Sequence, residues 1–166
     1  MKKWFLALVL IVSLGICSPL VFHHTVYNDL HGLWGFTLSG IDKVDLFELH
    51  NFARVKNNIL PLTMHLDLDG CAQSHAEWMA KNSRMSHEEN LREMKTVGDR
   101  LSKYRNWMAV GENIAYGQQS PLEVTEAWLN SPGHRRNILS RNYNHVGFGI
   151  ATAENGQLYW CAVFSD

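Results

Sequence analysis

The residues of this sequence that could do chemistry are nine histidines, three cysteines and the acidic and hydroxyl side chains near them. Imidazole, thiolate and carboxylate groups bind zinc, and histidine and carboxylate side chains also transfer protons. His87, Glu112 and His134 each lie at least about 20 residues from the next, whereas recognisable zinc signatures place two ligands within one helical turn or short loop. Spacing alone therefore predicts no metal site at these three residues.

A serine nucleophile is the second chemistry to consider, and Ser131 is the local candidate. It lies three residues before His134, and Glu112 could orient the imidazole. Ser131 also directly precedes Pro132, which is the pattern of a helix N-cap followed by proline at the first helical position. A capping hydroxyl points at backbone N–H groups, so we interpret Ser131 as a cap and not as a nucleophile.

Cys71 and Cys161 both lie among apolar residues, whereas Cys17 lies in the apolar N-terminal run. If Cys17 is removed with an export signal, the other two thiols could form a disulfide. The closed loop of about 90 residues would contribute roughly 4 to 5 kcal/mol in the chain-entropy model. Alternatively, both thiols pack in the core as small hydrophobic groups. Geometry decides between these alternatives, so the sequence leaves both open.

The N-terminus has the features of an export signal, because Lys2 and Lys3 precede an uncharged apolar run at residues 4–22. That run is close to the ~20 residues needed to cross a bilayer, so a retained anchor with its C-terminus outside is the alternative. We therefore predict a signal peptide or membrane anchor at 1–22 and a linker or N-terminal extension at 23–40. The domain would then face an extracytoplasmic, oxidising space.

Composition indicates one globular domain at residues 41–166. Of the 166 residues, 46% are hydrophobic and 19% are charged, which is enough apolar material for one core. Lys and Arg number 15 against 16 for Asp and Glu, and no block of like charge stands out. This balance argues against nucleic acid as a partner.

Apolar periodicity predicts two helices in the first half of the domain. The first follows Asp42 and stops before Leu60. Its predicted apolar face consists of Val44, Phe47, Phe52 and Val55, with Leu49 and Ala53 filling in. The second has apolar residues from Leu68 to Met79 and ends near Asn82, and we place His75 at the partly buried edge of its apolar face.

The second half is predicted to contain short helices and strands. Residues 83–108 are polar and form a long excursion with at most a short helix at 99–104. Ser120, followed by proline and then Glu123, is a capping box that starts a helix. The Ser-Pro pair at 131–132 starts another, over residues 132–139.

The last third of the chain changes to strand periodicity. Val146, Phe148 and Ile150 alternate with small residues, and an Asn-Gly turn at 155–156 precedes the apolar run 158–164. With 114–116 as a third strand, the pattern predicts an α+β fold in which helices flank a small antiparallel sheet.

Seven motifs, in this order, resemble those of one known family. They are HNFAR at 50–54, SH at 86–87, GDRL at 98–101, GENIAYG at 111–117, AWLNSPGHRRNIL at 127–139, HVGFGIA at 145–151 and YWCAVF at 159–164. Together they resemble the CAP superfamily of cysteine-rich secretory, antigen 5 and pathogenesis-related 1 proteins, in its short bacterial-type branch.

The resemblance implies an α-β-α sandwich with a central antiparallel sheet and a cleft that many members line with two His and two acidic residues. His87, Glu112 and His134 match three of these four positions, and the second acidic position falls near Ser131, where this chain has no carboxylate. Two imidazoles and one carboxylate are a three-ligand set for a divalent cation such as zinc or magnesium, with a position left for water. Alternatively, Glu112 is structural and accepts hydrogen bonds from both imidazoles.

Three functions stay open at this point. The first is an exported module that binds a small molecule, a lipid or an envelope polymer in the cleft, since the wider family includes lipid-binding members. The second is an extracytoplasmic metal-assisted hydrolase, against which the missing carboxylate weighs. The third is a scaffold that presents residues 83–108 to another protein. In all three, a membrane is contacted only through the N-terminal segment.

Overall fold

The computed structural model describes residues 38–90, 93–104 and 107–166. The predicted signal or anchor at 1–22 lies outside the described residues, as does the predicted linker up to residue 37. In chain order the elements are α1 (Leu38–Lys56), β1 (Thr63–Met64), α2 (Leu66–Lys81), α3 (Val97–Ser102), β2 (Val110–Tyr116), α4 (Pro121–Asn130), α5 (Pro132–Ile138), β3 (His145–Thr152) and β4 (Leu158–Ser165). None of the helices in this part of the chain is long and apolar enough to cross a membrane.

One four-stranded sheet, in the order β1-β3-β4-β2, forms the middle layer. The predicted hairpin is confirmed: β3 and β4 pair antiparallel, and Gly156 in their turn has φ of +82°. β2 pairs antiparallel with β4 and starts at Val110, four residues before the predicted third strand. The sheet differs from the predicted antiparallel arrangement in one respect, because β1 pairs with β3 in parallel. A strand of two residues is too short to produce a periodic pattern.

Helices cover both faces of the sheet, so the predicted three-layer α+β sandwich is confirmed. α2 packs directly on β3, where Gly147 and Gly149 make room for it. A Cβ atom at Gly149 would lie 2.1 Å from the carbonyl oxygen of Ala72. Beyond the short β1, side chains of α2 bind the free backbone of β3: Asp69 Oδ1 accepts from Phe148 N at 2.8 Å.

The predicted buried face of α1 was correct at Ala53 and at the partly buried Phe47 but wrong at its ends. Val44 and Val55 are 51% and 59% exposed, whereas Leu46, His50 and Arg54 are almost completely buried. The polar pair can be buried because both side chains find hydrogen-bond partners inside the protein. Apolar spacing alone does not reveal such partners.

Arg54 ties the loops on either side of it in the fold to helix α1. Its guanidinium donates to four backbone carbonyl groups at 2.8 to 3.0 Å. The acceptors are Leu60, Ile138, Ser140 and Tyr143. One side chain thereby joins the end of α1 to the chain that follows α5.

His50 lies in the apolar layer on the other face of the sheet from α2. Its ring contacts the rings of Trp128 and Phe148, at centroid distances of 5.7 and 5.0 Å, and its Nδ1 donates to Leu46 O at 2.7 Å. Burial lowers the pKa of His50 from 6.5 to about 4. The folded protein therefore holds this imidazole neutral.

We expect acid to destabilise the domain through His50. Below pH 6.5 the unfolded chain binds a proton at this residue, but the folded chain does so only near pH 4. The free energy of unfolding should thus fall by about 3 kcal/mol between these pH values and change little from this source below them. Urea unfolding as a function of pH measures the fall.

His50→Leu should remove that part of the pH dependence. Leu68→Val, which alters the apolar cluster beside α2 and leaves His50 in place, should keep it. An unchanged slope in His50→Leu would contradict the assignment.

Candidate functional site

Glu112, His87 and His134 come from three different elements. Glu112 is the third residue of β2, and only 3% of its side chain is exposed. His87 lies in the excursion after α2 with 57% of its side chain exposed. His134 lies in the first turn of α5 and is half-buried. The structure thus places one buried carboxylate in contact with the half-exposed ring of His87, and His134 near enough for His87 to lower its pKa.

Both oxygens of Glu112 are engaged. Oε1 accepts a hydrogen bond from His87 Nδ1 at 2.8 Å, and Oε2 accepts one from Nη2 of Arg100. The thiol of Cys161 lies 3.7 Å from Oε2, and His75 Nε2 lies 3.9 Å from Oε1. Burial alone would raise the pKa of Glu112, but the hydrogen bond from His87 and the charge of Arg100 outweigh it and lower this pKa.

Arg100 is a residue of the site that the sequence did not indicate. It is 2% exposed and follows the capping box in which Thr96 and Asp99 start α3. Besides its contact with Glu112, its Nη1 donates to the carbonyl oxygens of His87 and Lys95 at 3.2 and 3.3 Å. Arg100 therefore joins the excursion to the edge strand of the sheet.

His75 is fully buried, so the prediction that it lies partly buried at the edge of the core was wrong. Its Nδ1 lies 2.9 Å from Glu89 Oε1, and its Nε2 donates to Ser86 O at 2.9 Å. Its position on the apolar face of α2 was the available signal, because a buried polar side chain requires partners. The sequence did not show that those partners flank His87.

His134 is positioned through two asparagines that sequence reasoning also missed. Asn113 Nδ2 donates to His134 O at 3.0 Å, and Asn137 Nδ2 donates to Glu112 O and to Asn113 Oδ1 at 3.2 and 2.9 Å. These bonds dock α5 on β2. Burial and the neighbouring His87 lower the pKa of His134, so its imidazole is neutral at pH 7.

Ser131 occupies the N-cap position of α5, as predicted, but its hydroxyl makes no capping hydrogen bond, so that part of the prediction was wrong. Its backbone has φ of −92° and ψ of 120°, and its carbonyl accepts from Arg135 N at 2.8 Å. Ser120, in contrast, caps α4 with its side chain by accepting from Glu123 N.

Cys71 and Cys161 are free, buried thiols in the structure, which therefore has the packed-thiol alternative and not the disulfide. Burial raises the pKa of Cys71 to about 11 and also raises that of Cys161. Both thiols are consequently protonated at neutral pH. They pack beside α2 in the same apolar cluster.

The predicted metal ligands do not form a ready three-ligand site. Within the described ranges, no group of three or more His, Cys, Asp or Glu side chains could hold a metal ion. The reason is the carboxylate, because Glu112 is already bonded to Arg100 and to His87 Nδ1. Two imidazoles, those of His87 and His134, are left to face a ligand.

We expect Glu112 and Arg100 to be strongly coupled in stability. Glu112→Gln or Arg100→Met alone leaves a buried charge without its partner and should lower the free energy of unfolding by about 3 to 5 kcal/mol. The double variant should lose clearly less than the sum of the two single losses. Urea unfolding of the four proteins measures the coupling, and additive losses would contradict it.

Asn113→Ala should lower the free energy of unfolding by about 1 to 3 kcal/mol, because it removes the donor to His134 O and the acceptor of Asn137 Nδ2. It should also broaden or shift the NMR signals of the His134 ring. Asn142→Ala, at an exposed site, is the matched control and should change stability by less than about 0.5 kcal/mol. Equal effects of the two substitutions would exclude the proposed docking role.

Comparison with known proteins places this geometry in a family. Residues 47–164 match the model of the CAP, or cysteine-rich secretory protein, family. The chain is 34% identical over 116 residues to the uncharacterized protein YkwD of Bacillus subtilis, covering 68% of this chain and 42% of that protein. It is 33% identical over 106 residues to the uncharacterized membrane protein YlbC of the same species, covering 63% and 30%. The chain thus spans less than half the length of these relatives.

Solved structures share the fold. An SCP-domain extracellular protein from Bacillus anthracis superposes with a TM-score of 0.69 at 24% identity, covering 92% of this chain and 45% of that one. An outer surface protein from Borrelia burgdorferi gives 0.67 at 22% identity, covering 73% and 89%. The resemblance that the motifs carried is confirmed: the chain belongs to the CAP, or cysteine-rich secretory protein, family.

Proposed function

We propose that this protein is an exported binding module whose cleft, between His87 and His134, takes a small ligand, a lipid headgroup or a segment of an envelope polymer. The observation that carries the proposal is the burial and hydrogen bonding of Glu112. Its carboxylate is buried and paired with Arg100, and it holds the His87 ring in one orientation. A rigid recognition surface follows from that arrangement.

The two imidazoles define what the cleft can recognise. His87 donates through Nδ1 to Glu112, so in its neutral form Nε2 is a hydrogen-bond acceptor. His134 is neutral at pH 7 because its pKa is lowered, and a neutral imidazole also has one acceptor nitrogen. The cleft therefore suits groups that donate hydrogen bonds, such as the hydroxyl and amine groups of sugars or lipid headgroups.

The same observation weighs against a hydrolase that uses Glu112 as base. A general base must reach the proton that it removes, and its pKa should lie near the working pH. Glu112 is 3% exposed in its side chain, has both oxygens bonded and has a lowered pKa. These properties favour binding over proton transfer.

A divalent cation is the second candidate ligand. Neutral imidazoles favour zinc, whereas magnesium prefers oxygen ligands, and the one carboxylate of the cleft is paired with Arg100. His87 and His134 would supply two ligands, and water or a bound molecule would complete the coordination. Zinc bound by two protein ligands would exchange readily.

An extracytoplasmic location is part of the proposal. Lys2 and Lys3 before the apolar run 4–22 support export, either with a cleaved signal or with a retained anchor. The likeness to an extracellular protein and to an outer surface protein is consistent with it.

For ligand binding, we expect the double variant His87→Ala/His134→Ala to retain at most about a tenth of the wild-type binding, a loss equivalent to about 1.4 kcal/mol. The measurement is co-sedimentation with isolated bacterial cell walls and, separately, with lipid vesicles. His145→Ala is the control, since this histidine lies at the start of β3 beside Thr63 and outside the cleft. If His87→Ala/His134→Ala and His145→Ala both bind as strongly as wild type, the cleft is not the binding site.

The cation is tested by calorimetric titration of the purified domain with zinc. His134→Ala should weaken zinc binding at least about tenfold relative to wild type, and His145→Ala should not. If wild type takes up no more zinc than His134→Ala, the cleft does not bind the cation.

A further inference from the structure

We propose that His75 and Glu89 are positioning residues of the cleft, which hold residues 86–89, named here the His87 segment, so that the His87 ring meets Glu112. This inference rests on the proposed binding function of the cleft. Neither residue was assigned to the site by the sequence.

Both sides of His87 are attached to a single buried ring. His75 Nε2 donates to the carbonyl oxygen of Ser86, the residue immediately before His87, at 2.9 Å. His75 Nδ1 lies 2.9 Å from a carboxylate oxygen of Glu89, two residues after His87. The ring of His75 is 0% exposed and stacks on Trp78 with an interplanar angle of 8°.

Arg100 holds the same segment from α3. Its Nη1 donates to the carbonyl oxygen of His87 at 3.2 Å, and its Nε lies 3.6 Å from Glu89 Oε1. The backbone of Glu89 also donates to Lys95 O at 2.9 Å. The His87 segment is therefore fixed by side chains from two helices, while the His87 side chain itself stays 57% exposed.

The charges of the buried groups explain why both residues are needed. Glu89 and Glu112 are carboxylates, 6% and 7% exposed as residues, and Arg100 contacts both of them. His75 Nδ1 lies 2.9 Å from Glu89 Oε1, and His75 Nε2 lies 3.9 Å from Glu112 Oε1. Buried carboxylates without polar partners would be strongly disfavoured. Loss of His75 should accordingly release the segment at Glu89 and at Ser86 together.

The test reads the His87 ring directly, without any ligand. In wild type at pH 8, nitrogen NMR should show His87 as the Nδ1–H tautomer, because Nδ1 donates to Glu112. In His75→Leu this signature should be lost, and the amide of Glu89 should exchange with solvent at least about tenfold faster. His50→Leu removes another fully buried imidazole and is the matched control, which should keep both signals.

Glu89 supplies a second pair of variants in case His75→Leu does not fold. Glu89→Gln keeps a polar group that can hydrogen-bond to His75 Nδ1 and should retain the Nδ1–H tautomer of His87, whereas Glu89→Ala should lose it. Retention of the tautomer and of slow exchange in His75→Leu, or in Glu89→Ala where His75→Leu is unfolded, would overturn the proposal. Equal losses in His50→Leu would overturn it as well, because the effect would then be global.

These readouts are independent of the binding assays. If the tautomer behaves as expected but neither cell walls, vesicles nor zinc bind at the cleft, the proposed function fails and the positioning role stands. If binding depends on His134 but the tautomer of His87 does not change in His75→Leu, the positioning role fails and the proposed binding function stands.

Discussion

The buried pair of Glu112 and Arg100 is the interaction on which the site depends. Desolvating two charges costs several kcal/mol for each, and this is offset only if each charge has good partners. Glu112 meets that requirement with His87 and Arg100, and Arg100 with Glu112 and two backbone carbonyls. Because the partners come from β2, α3 and the excursion, satisfying the charges also fixes the relative positions of these three parts.

The sheet provides the rigid support for this pair. Glu112 is held in register on β2 opposite Val163 of β4, and α2 lies close against β3 because Gly147 and Gly149 have no side chains. His87 lies in the polar excursion and His134 in the first turn of α5. Both residues are bonded to β2, His87 through Glu112 and His134 through Asn113.

Much of the fold could be predicted from the sequence, because its signals are local. The Ser-Pro starts of α4 and α5 and the Asn-Gly turn between β3 and β4 depend on neighbouring residues, and the structure has all three. The family motifs likewise predicted that His87 and Glu112 lie together, and the two side chains are in contact.

What could not be predicted depends on contacts between residues far apart in the chain. The buried face of α1 was misassigned because the rings around His50 come from Trp128 and Phe148, and because Arg54 reaches carbonyls 84 to 89 residues away. Arg100 was undervalued for the same reason, since its carboxylate partner belongs to another element. Ser131 was correctly predicted as the N-cap residue of α5, but the direction of its hydroxyl depends on the folded structure around it.

The way in which α2 meets β3 has a consequence for how the domain behaves at high concentration. An uncovered strand edge can recruit a strand from another molecule and so begin aggregation. After the two residues of β1, the amides of Phe148 and Ile150 are instead bound by the side chains of Asp69 and Gln73, and Gln73 also donates to Ile150 O. Side chains of α2 thus satisfy backbone groups of β3 that a neighbouring strand would otherwise bind, so this stretch of the edge is not available for intermolecular pairing.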